Sequence, residues 1–320
     1  NFLPIARRRD SDQSEQPLVQ HLQEASRLCA SFAQKIDAKE AGRLLGLLHD
    51  FGKYSTEFQE YLTVNAKNKQ RGEVDHSTTG AQLLWQHLNG YGKESCLISQ
   101  MLALCLVSHH GGLIDCLSLD GKNSFQTRIR KDDAETHLQE CLARADKEIA
   151  AALPWPDEAA AQRFLRSFWP CIAPAIKIKE PARLRQFRLG MITRFLWSCL
   201  IDADRISSAD FAYPANVKLR RSGPADWQTT IERLEAKTFP AGNDSVNAIR
   251  QAVSEQCRKR AEDQQGIYTL TVPTGGGKTF ASMRYALHHA KAHQLDRIIY
   301  IIPFTSIIEQ TADEISKVIE

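Results

Sequence analysis

The stretch LLGLLHDFGKY, residues 44–54, joins the apolar face of a helix directly to an imidazole and a carboxylate. Its leucines at positions 44, 45, 47 and 48 have the spacing that predicts a buried helix face. His49 and Asp50 follow where this helix is expected to end, and Gly52 is its expected left-handed cap. Burying an ionisable side chain costs desolvation free energy unless a charged partner compensates for it. The stretch therefore predicts a helical core with a charged site at its edge.

Helical spacing continues to about residue 210, and polar side chains recur at the ends of the helices. We therefore expect an all-α first domain over residues 1–212. His76 precedes a helix that is predicted to begin with a capping box from Thr79 to Gln82. His109 and His110 end another predicted helix, and Asp202 and Asp204 of the segment LIDADR lie near the end of the last long one. His21 lies inside an amphipathic helix.

These residue types indicate a metal site. Each has an ordinary structural explanation when it is taken alone, but together they form a set of imidazoles and carboxylates without thiolates. Such a set favours Mn, Fe, Co, Ni or Mg over a structural zinc ion. Adjacent ligands point in different directions, so the pairs His49–Asp50 and His109–His110 could each serve two ions about 4 Å apart. His87 and His137 fall outside the pattern, and we assign them structural roles.

In their order along the chain these residues resemble the HD phosphohydrolase superfamily, and SHHGG resembles its nuclease branch. The resemblance covers roughly residues 15–210. It favours Asp204, which has Ala before it and small polar residues after it, and leaves Asp202 open as a substitute. It also implies that His49 and Asp50 act in catalysis and that Lys53 reaches the scissile phosphate. The implied metal ligands are His21, His49, Asp50, His76, His109, His110 and Asp204.

A different pattern follows the helical part. Pro214, Pro224 and Pro240 interrupt residues 213–244, which predicts a linker with one short helix at DWQTTIERLEAK. Over residues 245–320, predicted strands at 266–272 and 297–304 alternate with predicted helices. This alternation indicates the N-terminal part of an α/β RecA-like domain.

The segment VPTGGGKTF, residues 272–280, matches the phosphate-binding loop GxxxxGK[ST], with Val272 in place of the first glycine. It follows a predicted strand and opens a predicted helix, as such loops do. Backbone amides there would wrap the phosphates, the lysine would meet the β and γ phosphates, and the last threonine would hold Mg. The expected ATP-binding residues are Thr274, Gly275, Gly276, Gly277, Lys278 and Thr279.

PTGGGKT resembles superfamily 2 helicases, and RIIYIIPFTSIIEQT resembles the motif with which they grip DNA phosphates, here through Thr305 and Ser306. ATP and Mg are the cofactors that this part implies. The residues up to 320 contain no DExx box, second RecA-like domain or arginine finger. An ATPase of this kind needs these parts to position water and stabilise transferred charge. We therefore expect that this chain alone does not hydrolyse ATP.

Composition sets the broad class. With 42% hydrophobic and 25% charged residues, the chain is typical of a soluble globular protein. We expect a cytoplasmic protein without a membrane partner, because neither a signal peptide nor a run near the ~20 apolar residues of a membrane span is visible. The eight cysteines form no CxxC pair, which predicts reduced thiols. Basic residues between Lys177 and Arg221 either contact the phosphates of a nucleic acid or form an ordinary solvated helix face.

The order of the two parts resembles the CRISPR-associated helicase-nucleases of type I systems, and HDFGKYS, SHHGG and PFTSIIEQT favour subtype I-C. The resemblance implies that an RNA-guided, Cascade-type surveillance complex recruits the protein. An ATP-driven motor would thread single-stranded DNA 3′ to 5′, and two divalent ions would cut it. Two alternatives remain, namely an HD phosphohydrolase acting on small nucleotides and a non-catalytic recruitment module. Steep salt dependence of strand binding would distinguish the nuclease from both.

Overall fold

The computed structural model of the protein describes residues 3–63, 74–176, 181–219, 225–237 and 245–319. Contacts between residues divide the chain into two compact units, Asn1–Leu219 and Arg220–Glu320. Among the helices in the described ranges, none is long and apolar enough to cross a membrane. The eight cysteines are free thiols, in keeping with the prediction from their spacing.

In its described residues the first unit is helical, as predicted, apart from two short strands near its start. Three 3₁₀ helices, Gln34–Ile36, Phe51–Tyr54 and Pro214–Leu219, lie between or after its α-helices. In chain order the main elements are β1 (Ile5–Arg8), β2 (Glu15–Pro17), α1 (Leu18–Ala33), α2 (Lys39–Leu48), α3 (Thr56–Thr63), α4 (Ser77–Leu88), α5 (Lys93–Val107), α6 (Ser124–Ile129), α7 (Asp133–Thr136), α8 (Leu138–Arg144), α9 (Lys147–Ala151), α10 (Glu158–Ile176) and α11 (Ala182–Ala212).

The β1–β2 hairpin departs from the predicted all-α domain. The strands pair antiparallel, with Arg7 opposite Gln16. The side chain of Gln59 on α3 holds β1 in place, because it accepts a hydrogen bond from the Ile5 amide at 3.0 Å and donates one to the Ile5 carbonyl at 2.9 Å. Strands of four and three residues are too short to show the alternating pattern from which strands are predicted.

The predicted leucine face forms part of the core. Leu45 and Leu48 of α2 are completely buried. Helix α2 approaches α1 closely at Gly46, where a Cβ atom would lie 2.4 Å from the Ser26 Cα. Any side chain at this position would force the helices apart. The close approach brings His21 on α1 beside His49 at the end of α2, with 5.1 Å between their ring centroids.

Helix α11 is the longest helix in the described part of this unit and packs against α1 and α5. Its buried side chains include Leu196, Leu200 and Ala203, so the C-terminal half of the helix is fixed on the core. This packing carries Asp204 to the end of α2, where His49 and Asp50 lie. The N-terminal half is more exposed, with Phe187 at 63% and Met191 at 50% exposure.

The second unit contains four helices among its described residues: α12 (Trp227–Ala236), α13 (Ser245–Arg260), α14 (Lys278–Ala292) and α15 (Thr305–Ile319). Helix α12 lies within the predicted linker 213–244. Its Ile231 and Leu234 form a small core with Met283 and Leu287 of α14. The helix predicted at DWQTTIERLEAK is therefore present and packs within the second unit.

The strands predicted at 266–272 and 297–304 are not formed in the part of this unit that the structure describes. Ile267 is fully exposed, and Ile299 and Ile301 are 77% and 91% exposed. An apolar run indicates a tendency toward burial, but a strand also needs a hydrogen-bonded neighbour. The described residues give neither segment such a neighbour.

Candidate metal centre

All the residues that the sequence predicts as metal ligands lie together in the first unit. His49 and Asp50 follow α2, His109 and His110 follow α5, and His76 precedes α4, whereas His21 lies in the first turn of α1 and Asp204 lies inside α11. The packing of α1, α2, α4, α5 and α11 brings these residues to one place. They form two groups in which the ligand atoms lie within 4.8 Å of one another. One group is His21, His49, Asp50 and Asp204, and the other is Asp50, His76, His109 and His110.

Asp50 belongs to both groups, and its two oxygens face different partners. Oδ2 lies 3.3 Å from Nε2 of His21 and 3.3 Å from Nε2 of His49. Oδ1 lies 3.4 Å from Nε2 of His109 and 3.6 Å from Nε2 of His76. A carboxylate in this position could bridge two ions. The arrangement therefore fits the two-ion site that the adjacent ligand pairs predict.

Four of the imidazoles are held through Nδ1, which leaves Nε2 directed into the cluster. An Nδ1–H that donates to a fixed acceptor sets the tautomer and the ring orientation, as in many metal sites. The Nδ1 contacts are His49 to the Gly46 carbonyl at 2.9 Å, His76 to the Val74 carbonyl at 3.0 Å, His109 to the Leu106 carbonyl at 2.7 Å, and His21 to the Ser207 Oγ at 3.0 Å.

Ser207 and Glu24 are part of this support, and the sequence analysis missed both. The Ser207 hydroxyl donates to Glu24 Oε2 at 2.9 Å and can therefore accept the Nδ1–H of His21. Glu24 lies one turn after His21 on α1, whereas Ser207 is brought from α11. The spacing of His21 and Glu24 was a local signal, but only the fold reveals the serine between them.

The burial and the unpaired polar atoms of the centre fit a cation-binding site. His21 and His49 are fully buried and Asp50 is 1% exposed. Within the described residues, Asp50 Oδ1 and His109 Nε2 are buried and make no hydrogen bond. A buried carboxylate oxygen and a buried ring nitrogen without partners are costly. A divalent ion would satisfy both, and the donor set of imidazole and carboxylate suits such an ion.

The charges of these groups are strongly coupled. Burial disfavours the ionised form of Asp50, but Lys53 and His49 outweigh it and hold the Asp50 pKa well below its usual range. Burial also opposes charge on His49, yet Asp50 and Asp204 raise its pKa to about 10. At His76 burial dominates and lowers the pKa to about 4. The centre therefore combines ionised carboxylates with one imidazole whose pKa is raised, His49, and one whose pKa is lowered, His76.

Of the two aspartates that the sequence left open, Asp204 lies in the centre. Its Oδ1 is 3.4 Å from His21 Nε2 and 3.8 Å from His49 Nε2. Asp202 is exposed and belongs to neither group. Two residues further along a helix corresponds to a rotation of about 200°, so only one aspartate of DAD can face the cluster.

Lys53, predicted to reach a scissile phosphate, lies at the edge of the centre. Its Nζ is 2.7 Å from Asp50 Oδ2 and donates to the Ala6 carbonyl at 3.3 Å. The ammonium also lies 5.3 Å from the centre of the Phe58 ring. Lys53 is buried and paired with a predicted ligand, so its role toward a phosphate stays a prediction.

Two local predictions about helix ends are wrong. Gly52 does not have a positive φ and lies inside the 3₁₀ helix Phe51–Tyr54, not in a left-handed cap. The predicted capping box at the start of α4 is also absent, because Thr79 and Gln82 donate to distant carbonyls. Asp75 caps the start of α4 instead, because its Oδ1 accepts a hydrogen bond from the Thr78 amide at 3.1 Å.

The glycine-rich loop of the second unit contains two glycines in the left-handed backbone conformation. Gly275 and Gly277 have φ values of +81° and +78°, which favour glycine. Gly277 is the N-cap of α14, so Lys278 and Thr279 open the helix as predicted. Arg250 on α13 donates to the Gly275 carbonyl at 2.8 Å. ATP binding by Thr274–Thr279 stays a prediction.

The remaining predicted contacts with DNA are only partly described. Helix α15 begins at Thr305, but the side chains of Thr305 and Ser306 lie outside what the structure describes. Of the basic cluster, Arg183, Arg185 and Arg194 are exposed on α11 and Lys218 is exposed after it. Lys177, Lys179, Arg220 and Arg221 lie outside the described residues.

The fold and the centre define the class: a helical protein with His and Asp groups that could hold divalent ions. Two family models match the chain, "Cas3, HD domain" over residues 8–209 and "Type III restriction enzyme, res subunit" over residues 241–320. The protein therefore belongs to the Cas3 HD-domain family. These matches confirm the predicted resemblance to CRISPR-associated helicase-nucleases and the predicted order of the two parts.

The chain is also similar to individual named proteins. The CRISPR-associated nuclease/helicase Cas3 of Haloferax volcanii is 24% identical over 305 residues, which is 82% of this chain and 31% of that protein. Crystal structures of T. fusca Cas3 and of T. fusca Cas3-ATP are each 19% identical, with TM-scores of 0.38 and 0.41, and cover 99% of this chain and 37% of theirs. The chain thus spans about a third of the length of these relatives.

Proposed function

We propose that this chain carries the nuclease of a CRISPR interference helicase-nuclease and cuts single-stranded DNA with two divalent ions. The observation that carries the proposal is the position of Asp50, whose two oxygens face two different groups of candidate ligands. A site for one ion does not require a carboxylate between two ligand groups. Family membership supports the same conclusion.

The residues have distinct parts in this proposal. His21, His49 and Asp204 would hold one ion, His76, His109 and His110 would hold the other, and Asp50 belongs to both groups. Two divalent ions, when bound, supply an activated water and stabilise the charge of a phosphodiester during hydrolysis. The hydrogen bonds at Nδ1 of His21, His49, His76 and His109 would orient these rings so that Nε2 is available to an ion. Lys53, at the edge of the centre, stabilises the charge of the scissile phosphate.

The strand would approach from the side of His76 and His110. His110 has half of its side chain exposed, whereas His21 and His49 are buried. A cavity of about 470 Å³ is lined there by His76, His110, Arg128 and Lys131, among others. Its basic side chains would contact phosphates, which position a strand without reading its sequence.

The second unit contributes ATP binding in this proposal. The loop Thr274–Thr279 binds ATP with Mg, and Thr305 and Ser306 contact the strand that a complete motor feeds 3′ to 5′. A Cascade-type, RNA-guided complex recruits the protein in the cytoplasm and supplies the choice of sequence. This chain alone is expected not to hydrolyse ATP. Mn, Co, Ni, Fe and Mg remain the candidate ions of the nuclease centre.

The test is digestion of a labelled single-stranded DNA with EDTA, Mg, Mn, Co or Ni and without ATP. We expect cutting that depends on the metal and is lost in His49→Ala and Asp50→Ala. His87→Ala serves as the control, since His87 is exposed on α4 and outside both groups. A folded wild-type chain that cuts no DNA with any of these metals would contradict the proposal, and turnover of free nucleotides would favour the phosphohydrolase alternative.

A further inference from the structure

Three consecutive arginines, Arg7, Arg8 and Arg9, have different partners in the structure. Arg8 is paired with Glu15 at 2.5 Å, and Arg9 with Asp12 at 2.7 Å. Both acidic partners belong to the β1–β2 hairpin or its turn. Because side chains alternate across a strand, Arg7 lies on the other face of β1 from Arg8. Arg7 therefore faces away from Glu15, and its guanidinium contacts residues of the metal centre instead.

Arg7 reaches the candidate ligands themselves. Its Nη2 lies 3.1 Å from His21 Nε2 and 3.4 Å from Asp204 Oδ1. The Nε atom of Arg7 is buried and makes no hydrogen bond within the described residues. The side chain as a whole is 25% exposed, so the guanidinium lies at the border between the buried centre and solvent.

The contact with His21 competes with metal binding. His21 uses Nδ1 for Ser207, so its Nε2 has one lone pair, and Arg7 contacts that lone pair. An ion held by His21 would take the same lone pair and would repel a guanidinium. Arg7 would then have donors available beside the ion, and β1 would stay fixed because Gln59 holds Ile5 and Lys53 holds the Ala6 carbonyl.

We infer that Arg7 contacts a phosphate of the nucleic acid at the nuclease centre. The inference rests on the proposed function and adds a substrate-binding residue to it. A guanidinium carries several donors in a planar fork that matches phosphate oxygens. Arg7 and Lys53 would then supply the two protein cations at one edge of the centre.

The test compares Arg7→Gln with Arg8→Gln in the Mn-loaded chain. The probe is thymidine 5′-monophosphate, which carries a phosphate and has no phosphodiester to cut, and its binding is measured by titration calorimetry. We expect Arg7→Gln to weaken binding about tenfold or more, as loss of a charged hydrogen bond does. Arg8→Gln should bind like the wild type, and Arg7→Lys should fall between them. Affinity for Mn itself should be equal or higher in Arg7→Gln, because a competitor for His21 is removed.

Two results would overturn the inference. One is equal affinity of the wild type and Arg7→Gln for thymidine 5′-monophosphate. The other is a weaker affinity of Arg7→Gln for Mn, which would make Arg7 a support for the ligands. Failure of the proposed function looks different, because a wild-type chain that binds the monophosphate through Arg7 but cuts no DNA would contradict the nuclease activity and leave the contact standing.

Discussion

The amide of Gly52 donates a hydrogen bond to the carbonyl oxygen of His76 at 3.2 Å. This bond ties the segment after α2, which carries His49 and Asp50, to the segment before α4, which carries His76. A Cβ atom at Gly52 would lie 2.5 Å from that same oxygen. The glycine is thus required by close approach of two backbones that each carry candidate ligands.

Replacing Gly52 tests this approach. We expect Gly52→Ala to lower the free energy of unfolding by about 1–3 kcal/mol, because overpacking forces backbone shifts. Affinity for Mn should fall as well, since His76 would move relative to Asp50. Gly90→Ala is the matched control, because a Cβ there meets nothing within 4 Å. Urea unfolding and Mn titration measure the two effects, and equal values for both variants would contradict the account.

Asp75 connects stability to pH. Burial opposes its charge, but hydrogen bonds from Lys131 and Thr78 lower its pKa to about 2. A carboxyl with a pKa lower in the folded state stabilises the fold above its unfolded value near 4 and loses this contribution as the pH falls toward 2. We expect Asp75→Asn to cost about 1–2 kcal/mol at pH 7. The difference from the wild type should shrink between pH 4 and pH 2 in unfolding experiments, and a difference that stays constant would refute this assignment.

The relay from His21 through Ser207 to Glu24 is expected to tune metal binding. Supporting hydrogen bonds of this kind typically change metal affinity about 10–100-fold. Ser207→Ala should therefore weaken Mn binding by roughly that factor at one of the two sites. Ser31→Ala, an exposed serine on the same helix as His21, is the control. If both variants bind Mn as the wild type does, Ser207 has no part in the centre.

The loop at the start of α14 gives a separate prediction. If the loop binds ATP as predicted, Lys278→Ala should reduce binding of a fluorescent ATP analogue in the presence of Mg by at least about tenfold, because a charged hydrogen bond to the phosphates is lost. Lys291→Ala near the end of the same helix should have little effect. Equal loss in both variants would show that the loop does not recognise the phosphates.

The first unit was predictable where its signals are local. Leucines at helical spacing identified α2, and the order of the His and Asp residues along the chain, through the resemblance that it carries, supplied the candidate ligands. The Nδ1 contacts of His49 and His109 are local too, because each reaches the carbonyl three residues earlier. These contacts follow from helix geometry at a C-terminus, where carbonyls lack partners.

Other features depend on residues far apart in sequence, which no periodicity reveals. Arg7 reaches His21 from a strand too short to predict, and Ser207 reaches it from α11. Ile299 and Ile301 were predicted to lie in a buried strand, but they are exposed. Their apolar pattern is that of a buried strand, but burial requires neighbours that a local pattern cannot supply. Contacts between residues far apart in sequence therefore explain why the roles of Arg7 and Ser207 were missed. The lack of such contacts among the described residues explains why the strand predicted at 297–304 is not formed.

The most direct test of the shared carboxylate is the metal content of the Mn-loaded chain, measured by native mass spectrometry. The account predicts two ions per wild-type chain and per His87→Ala chain, and loss of both tightly bound ions in Asp50→Ala. One ion in the wild type, or two in Asp50→Ala, would contradict the account, because Asp50 would then not join two ion sites.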